Sequence, residues 1–385
     1  MKKPLLIVVI ILVVILALPI INFIRWTFQT KKPMDIVLLD KTVPTLDREK
    51  HKSFDWILTN ERFVKKEKRT SYSFRKDYYG FYPTRPLRDR LFDKKDYRVA
   101  DLINMAENSD AVYFTDTYGV FYNEWYRGIN KSRRTRKLYG GLMNTDNLLI
   151  KEMKDRNKLV ILEYNTFDYP TVEYELVKLT DRIGIGFSGW SAKYFSTLDT
   201  LEGENFPIWM TTMYRKQYKK PWTFTKPGIV LLQEKYIIVL EEGTHLNNPL
   251  PSIITDSANC AKYNLPSSIA FSQWFDIIDP KENNVISKFR IETTTMGDSI
   301  LEENNITNEF PAVIQDPGSQ RTYYFSGDFA NSKIPYWSSR FKGVDKLKGI
   351  IYSKKPDDSR RFFWLYYRPL IKGILYDYYN TLSEK

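Results

Sequence analysis

The sequence predicts an α/β fold in which a mostly parallel sheet is flanked by helices, carries β-hairpin additions and is preceded by one transmembrane helix. Three observations predict it. The chain opens with an uncharged apolar stretch over residues 5–24. Short, near-continuous apolar runs then alternate with segments of helical periodicity, which is typical of a parallel sheet covered on both faces. From about residue 206 the pattern changes to hairpins and aromatic strands.

The apolar stretch over residues 5–24 reads LLIVVIILVVILALPIINFI and follows a short tail, residues 1–4. A helix rises about 1.5 Å per residue, so this stretch is long enough to span the roughly 30 Å hydrocarbon core of a bilayer. The short tail favours a signal-anchor, with the body of the protein on the extracytoplasmic side of the cell membrane. The alternative is a cleaved signal peptide, whose apolar region is normally only about 7–15 residues long. The sequence therefore predicts a single-pass membrane protein.

One α/β domain is predicted over residues 33–334, with a basic, aromatic and irregular insertion at about 41–98. Helical spacing around Leu102 and a helix from about Asn144 to Lys154 separate the first apolar runs, and Thr171 can cap a third helix. The predicted parallel strands are MDIVLL (34–39), AVYFTD (111–116), KLVILEYN (158–165) and IGIGFSGW (183–190).

The later part of the chain has a different pattern. Residues 228–243, GIVLLQEKYIIVLEEG, predict a β-hairpin that turns at Glu234–Lys235, and VISKFRIETTT (285–295) predicts a further strand. TYYFSGDFA (322–330) predicts an aromatic strand that ends at Asp328. Residues 335–385 form a predicted helical extension rich in aromatic residues, with a break at Pro369.

Polar side chains follow the predicted strands at their carboxyl ends. In open α/β sheets, ligands bind beyond these ends, so we expect the side chains to share one rim. Clustered carboxylates can form an acid/base pair, coordinate Mg²⁺ or Ca²⁺, or accept hydrogen bonds from the hydroxyl groups of a sugar. The candidate binding rim consists of Asp40, Asp116, Tyr118, Glu163, Asn165, Ser188, Trp190, Lys193 and Asp328.

In this rim, Trp190, Trp125 or Tyr118 would stack on a sugar ring, and Lys193 would offer a positive charge to the carboxylates or to an anionic ligand. The alternative interpretation is that strand ends are polar because they reach solvent. Asp40, Asp116 and Asp168 would then only cap the turns or helices that follow them.

A basic segment follows the aromatic YNEWY. Residues 127–137, RGINKSRRTRK, contain no acidic residue. We expect them to contact an anionic surface, either phospholipid headgroups or an acidic envelope polymer, and the alternative is a solvated loop. The residues of this predicted contact are Arg127, Lys131, Arg133, Arg134, Arg136 and Lys137.

Composition limits the classes of function. The net charge of +12 favours acidic partners, but no nucleic-acid motif is present and an extracytoplasmic body would not meet nucleic acid. One cysteine excludes an intramolecular disulfide, and with two histidines it leaves almost no ligands for a zinc site. No metal site and no cofactor are predicted.

The order of strands and helices, the turn YFTDTYG, the strand–turn VILEYNTF and the aromatic strand YYFSGD resemble the class I glutamine amidotransferase-like group, which has a flavodoxin-like fold. The resemblance covers about residues 33–334 and is strongest to membrane-anchored members. Active members carry a G-x-C-x-G nucleophile elbow with a late His and Glu. Cys260 lacks flanking glycines, and neither His51 nor His245 recreates the late motif. The resemblance therefore implies the fold without the glutaminase activity.

Other catalytic motifs are also absent from the sequence. GFSGW departs from the G-x-S-x-G nucleophile elbow, because Trp190 stands where the second glycine belongs. There is no P-loop, and Gly184, Gly186 and Gly189 lack the spacing and position of a dinucleotide-binding motif.

Two functions are consistent with these patterns. The first is a non-catalytic binding or assembly component of the cell envelope, with an envelope protein or an anionic polymer as partner. The second is a carboxylate- or metal-dependent hydrolase or transferase that acts on envelope glycan through Asp116, Glu163 and Asp328. The second requires these three carboxylates to lie close together in one concave pocket.

Overall fold

The computed structural model of the protein describes residues 17–85, 87–128, 135–201, 206–347 and 352–383. The helices are α1 (17–27), α2 (Glu49–Glu61), α3 (Leu102–Asn108), α4 (Asn144–Asp155), α5 (Glu173–Ile183), α6 (Ile208–Tyr218), α7 (Ser257–Tyr263), α8 (Thr295–Glu303), α9 (Ser359–Phe362) and α10 (Arg368–Ser383). The strands are β1 (Lys32–Pro33), β2 (Ile36–Asp40), β3 (Phe63–Val64), β4 (Tyr79–Pro83), β5 (Phe92–Lys95), β6 (Ala111–Asp116), β7 (Val120–Phe121), β8 (Lys137–Tyr139), β9 (Leu159–Glu163), β10 (Gly186–Phe195), β11 (Gly228–Leu232), β12 (Ile237–Glu241), β13 (Leu246–Thr255), β14 (Ser268–Ala270), β15 (Trp274–Asp279), β16 (Asn284–Thr293), β17 (Glu309–Gln315) and β18 (Thr322–Phe325).

The larger sheet has ten strands in the order β14-β13-β16-β17-β18-β9-β6-β2-β4-β5. Strands β18, β9, β6, β2 and β4 are parallel neighbours, whereas every other pair in this sheet is antiparallel. The prediction of a mostly parallel sheet is therefore wrong, because this sheet is mixed. The later strands join this sheet as antiparallel neighbours: β17 and β18 through the short segment 316–321, and β13 with β14 and β16 with β17 through segments that contain α7 and α8.

Helices cover both faces of the parallel strands. Side chains alternate along a strand, so in β2 Ile36 and Leu38 point to one face, and Val37 and Leu39 to the other. The first face packs against α2 and the carboxy-terminal helices, and the second packs against α3, α4 and α5. The parallel strands are held between these layers, and their carboxyl ends meet at one edge of the sheet.

A smaller, antiparallel sheet has the order β12-β11-β10-β15. The sequence predicts β10 as a parallel strand that ends at Trp190, but it continues to Phe195 between β11 and β15. The pairing of β10 with β15 shifts register between Phe187 and Ser191. Gly189 lies inside this bulge with φ of +82°, a conformation that glycine adopts without a steric penalty. The segment 187–195 therefore forms almost the whole of a bulged strand rather than the end of one.

Residues 41–98, predicted as an irregular insertion, contain α2 and the strands β3 to β5. Strands β4 and β5 form one edge of the ten-stranded sheet. Tyr78 and Phe81 from this segment are buried in the main core. These aromatic residues are thus part of the core, although their spacing in the sequence follows neither a helical nor a strand period.

The carboxy-terminal aromatic residues pack into the main core, with Phe363, Tyr366 and Tyr367 wholly buried. A π-helical turn, Phe363–Tyr367, connects α9 to α10. Pro369 therefore does not break the helical structure as predicted. It lies in the first turn of α10, directly after the wider turn, where a proline ring is tolerated.

The described part of the amino-terminal apolar stretch is α1, whereas residues 5–16 of the predicted span lie outside the described residues. In the part of the chain that the structure describes, no helix has both the length and the apolar character needed to cross a membrane. Within the described residues, this finding contradicts the prediction of a transmembrane anchor. The predicted membrane partner, the cell-membrane localisation and the extracytoplasmic position rested on that anchor and are corrected with it.

Candidate functional site

A cavity of about 660 Å³ opens between the carboxyl edge of the parallel strands and the smaller sheet. Backbone hydrogen bonds join the two walls: the Asp276 N–H donates to the Ser326 carbonyl at 2.6 Å, and the Asp328 N–H donates to the Trp274 carbonyl at 2.9 Å. Strand β15 of the smaller sheet is thus fixed to the chain that follows β18. The position of the cavity is the one expected for a ligand site in a sheet with parallel central strands.

Two of the predicted rim residues meet at one lysine on the wall of this cavity. Lys50 lies in the first turn of α2, and its Nζ is 2.5 Å from Asp328 Oδ2 and 3.1 Å from Asp116 Oδ2. Asp116 Oδ1 accepts hydrogen bonds from the Thr42 hydroxyl at 2.6 Å and from the Tyr118 N–H at 2.8 Å. The arrangement orients both carboxylates and leaves Asp116 at the cavity surface.

Burial and charge act against each other in this cluster. Burial raises the pKa of Asp116 to about 6, the Lys50 ammonium opposes the rise, and the Asp328 and Asp40 carboxylates add to it. For Lys50, burial alone would lower the pKa, but the carboxylates of Asp328 and Asp116 outweigh it and raise the pKa above its ordinary value. Lys50 is therefore a permanent cation, and it compensates the charges of its two partners.

Asp40 lies below the cavity rather than on its wall. Its Oδ2 is 2.5 Å from His51 Nδ1, and both side chains are fully buried. His51 Nε2 donates to the Phe74 carbonyl at 2.7 Å, since a carbonyl can only accept. This pair joins α2 to the end of β2, directly next to Lys50 in the sequence.

Glu163 is a core residue. Its Oε2 accepts from the Tyr113 hydroxyl at 2.8 Å, and its Oε1 accepts from the Ala330 N–H at 2.7 Å. Burial raises its pKa well above the usual range, and the Asp328 carboxylate adds to the rise. Glu163 does not line the cavity. The three carboxylates of the predicted hydrolase are therefore not brought together in one pocket.

A second polar group lies on the opposite wall. Ser191 Oγ is 2.7 Å from Asp276 Oδ1 and 3.1 Å from Asp168 Oδ2, and Asp276 Oδ2 accepts from the Tyr324 hydroxyl at 2.7 Å. Burial raises the pKa of Asp276 to about 7, and the Asp168 carboxylate adds to the rise. Ser191 and Asp168 line the cavity together with Asn165, whose backbone has φ of +69°.

Lys193 lies on the same strand as Ser191, two residues further on, and also lines the cavity. Its Nζ is 5.4 Å from the centre of the Phe195 ring and 5.6 Å from the centre of the Trp274 ring. Burial lowers the pKa of Lys193, and the nearby Lys50 ammonium lowers it further. This part of the wall therefore combines a positive charge with aromatic surface.

The structure does not place Ser188 and Trp190 on the cavity wall. Trp190 is 5% exposed and packs in the main core, and Ser188 is exposed and donates to the Ile277 carbonyl at 2.6 Å. The reason is the alternation of a strand: Ser191, Lys193 and Phe195 point to the cavity, so Trp190 and Ala192 point to the core.

The predicted basic contact is only partly described. Arg127, Arg136 and Lys137 are exposed, and the Arg136 guanidinium lies 5.9 Å from the centre of the Tyr122 ring. Lys131, Arg133 and Arg134 lie outside the described residues.

Sequence reasoning missed several residues of the cavity wall. Lys50 and Thr42 fall in the segment that was predicted to be irregular, and Trp209 follows the change of pattern near residue 206. Trp274 enters through the pairing of β10 with β15, which the sequence does not indicate. The available signal was a basic residue, Lys50, in a segment that follows the first predicted strand and its terminal carboxylate, Asp40.

No protein-family model matches the chain, and no curated protein matches it. Among solved structures, the chain is similar to a protein from Bacteroides uniformis described as ThuA-like, with a TM-score of 0.34 and 10% sequence identity. The match covers 86% of this chain and 97% of that chain. A similarity of this size establishes neither a shared fold nor a shared function. The resemblance to the class I glutamine amidotransferase-like group stays a prediction.

Proposed function

We propose that the protein is a binding protein whose cavity holds a saccharide. The observation that carries the proposal is the composition of the cavity wall. Half-buried aromatic side chains lie there beside carboxylate and amide groups, of which Asp168 and Asn331 are oriented by hydrogen bonds. These residues are Tyr118, Trp209 and Trp274 on the aromatic side, and Asn165, Asp168, Gln273 and Asn331 on the polar side.

A sugar ring has an apolar face of C–H groups and an edge of hydroxyl groups. The aromatic side chains can cover the apolar face, and burying that face stabilises the complex by roughly 25 cal/mol per Å². The carboxylate and amide groups can accept from and donate to the hydroxyl groups. The cavity volume of about 660 Å³ lies within the roughly 300–1,000 Å³ range of small-ligand sites.

Binding is favoured over hydrolysis by the pairing of the carboxylates. Asp116 and Asp328 share the Lys50 ammonium, and Glu163 is bonded inside the core. A carboxylate whose charge is compensated by a permanent cation is a poor nucleophile. Among the described residues, no three acidic, histidine or cysteine side chains are grouped so that they could hold a metal ion.

The test is titration calorimetry of the protein with a panel of neutral and acidic oligosaccharides. We expect at least one saccharide to bind, and Trp274→Ala to weaken that binding at least about tenfold, since the indole forms part of the cavity wall. The matched control is Trp337→Ala, because Trp337 is 71% exposed and does not line the cavity. Absence of binding across the panel, or equal losses in the two variants, would contradict the proposal.

A further inference from the structure

Lys193 is half-buried and differs from the other cations near the cavity because it has no ion-pair partner among the described residues. Its ammonium forms no hydrogen bond there and contacts the rings of Phe195 and Trp274, while the Asp328 carboxylate, which attracts it from beyond ion-pair distance, is paired with Lys50. Lys50, on the opposite wall, has two carboxylates within 3.1 Å. Lys41, below the cavity, is paired with Asp146 at 2.6 Å.

An ammonium that is partly removed from water loses hydration free energy unless an anion replaces the water. The two aromatic rings provide only weak compensation at distances above 5 Å. The lowered pKa of Lys193 has the same origin, namely burial and the neighbouring Lys50 charge. An anionic group on a bound ligand would restore the missing partner.

The remaining charges of the wall limit which anion fits. The carboxylates of Glu49, Asp116, Glu124 and Asp168 also line the cavity. A dianionic phosphate would bring two negative charges close to them. A single carboxylate on the ligand can pair with Lys193 while the rest of the ligand presents hydroxyl groups to the acidic residues.

We propose that Lys193 binds a carboxylate of the ligand, so that the cavity selects acidic saccharides of the uronic acid type over neutral ones. This inference rests on the proposed function, since it names the class of saccharide that the same cavity takes. Lys193 determines specificity here, and Trp274 and Phe195 beside it provide the surface on which the ring of the acidic sugar lies.

The test compares two forms of one ligand on the unmodified protein: digalacturonate and its dimethyl ester, which differ in charge but not in sugar. We expect the acid to bind at least about tenfold more tightly, because a hydrogen bond to a charged group contributes that much. The preference is expected to shrink as salt is added. Equal binding of acid and ester contradicts this inference and leaves the proposed function standing. Binding of neither form also contradicts this inference, whereas only absence of binding across the whole saccharide panel contradicts the proposed function.

Two variants locate the effect. Lys193→Met keeps the length of the side chain and removes its charge, so the acid should lose its advantage while the ester binds within about twofold of its original affinity. The control is Lys235→Met, since Lys235 is exposed in the turn between β11 and β12 and does not line the cavity. A preference for the acid that survives in Lys193→Met overturns the inference. A galactose phosphate that binds more tightly than the uronic acid overturns it as well.

Discussion

Asp116 and Asp328 are held by the same ammonium, with Lys50 Nζ 3.1 Å from one carboxylate and 2.5 Å from the other. Asp116 is the last residue of β6, Asp328 follows β18, and Lys50 lies in the first turn of α2. One side chain therefore fixes three separate parts of the chain at the cavity. Its removal leaves two buried carboxylates without a cation, which is the costly way to break a buried ion pair.

Lys50→Met is expected to lower the free energy of unfolding by about 3–5 kcal/mol at pH 7. The loss should be smaller at pH 5, because burial raises the pKa of Asp116 to about 6 and the protonated carboxyl no longer needs a cation. Urea denaturation at the two pH values measures this difference. Lys333→Met is the control for removal of a lysine from the same cavity, and an equal loss at both pH values for Lys50→Met would contradict the account.

Asp276 makes stability depend on pH. Burial raises its pKa to about 7, whereas in the unfolded chain it is about 4. The folded state therefore binds more protons than the unfolded state between these values. The stability contributed by the protonated form is fully present below about pH 4 and is lost as the pH rises through 7.

Asp276→Asn is expected to reduce this loss of stability with rising pH, which amounts to about a few kcal/mol of unfolding free energy at most. Denaturation at a series of pH values between 4 and 8 measures it. Asp279→Asn, on the same strand but exposed, should leave the profile unchanged. If the profile of Asp276→Asn matches that of the original protein, Asp276 does not carry the dependence.

Substitutions of Glu163 and Asp116 compare a carboxylate in the core with a carboxylate on the cavity wall. Glu163→Gln should leave ligand affinity within about twofold, because Glu163 lies outside the cavity and an amide can keep the contact to the Ala330 N–H. Asp116→Asn should weaken binding at least about tenfold, because it lies on the wall beside Lys50. Calorimetry of both variants with the same saccharide decides this. Equal losses would mean that Glu163 also contributes to binding.

Trp190 and Trp274 lie on adjacent strands of the smaller sheet, Trp190 in the main core and Trp274 on the cavity wall. Trp190→Ala should destabilise the protein by about 3–5 kcal/mol, since it opens a cavity in the main core. Trp274→Ala should change the free energy of unfolding much less, because the ring is half-buried at the cavity wall. Thermal and urea denaturation of the two variants measure the contrast. Similar stability losses would mean that Trp274 is a core residue.

The sequence predicts one wall of the cavity well. The apolar runs that end in Asp40, Asp116 and Glu163 are the strands β2, β6 and β9, which pair in parallel. Parallel strands covered on both faces have this continuous apolar pattern, and their carboxyl ends share an edge. A side chain at that edge can still be buried, however. Of these three carboxylates, only Asp116 reaches the cavity.

The other wall depends on pairings between distant parts of the chain. Trp274 and Asp276 lie beside β10 because β15 pairs with β10, and no local sequence pattern indicates this pairing. The bulge at Gly189 also decides which side chains of β10 face inward. Since side chains alternate along a strand, Trp190 and Lys193 cannot lie on the same face, and a shift of one residue exchanges the two faces.

The most direct test of the binding proposal follows the indole N–H signals of the tryptophans by NMR while each saccharide of the panel, digalacturonate included, is added. The signals of Trp209 and Trp274 should shift in a saturable way, and those of Trp190 and Trp337 should stay in place. Assignment comes from single Trp→Phe variants. Saturable shifts at Trp190 or Trp337 with none at Trp274, or no shift at any tryptophan, would contradict a saccharide site in this cavity.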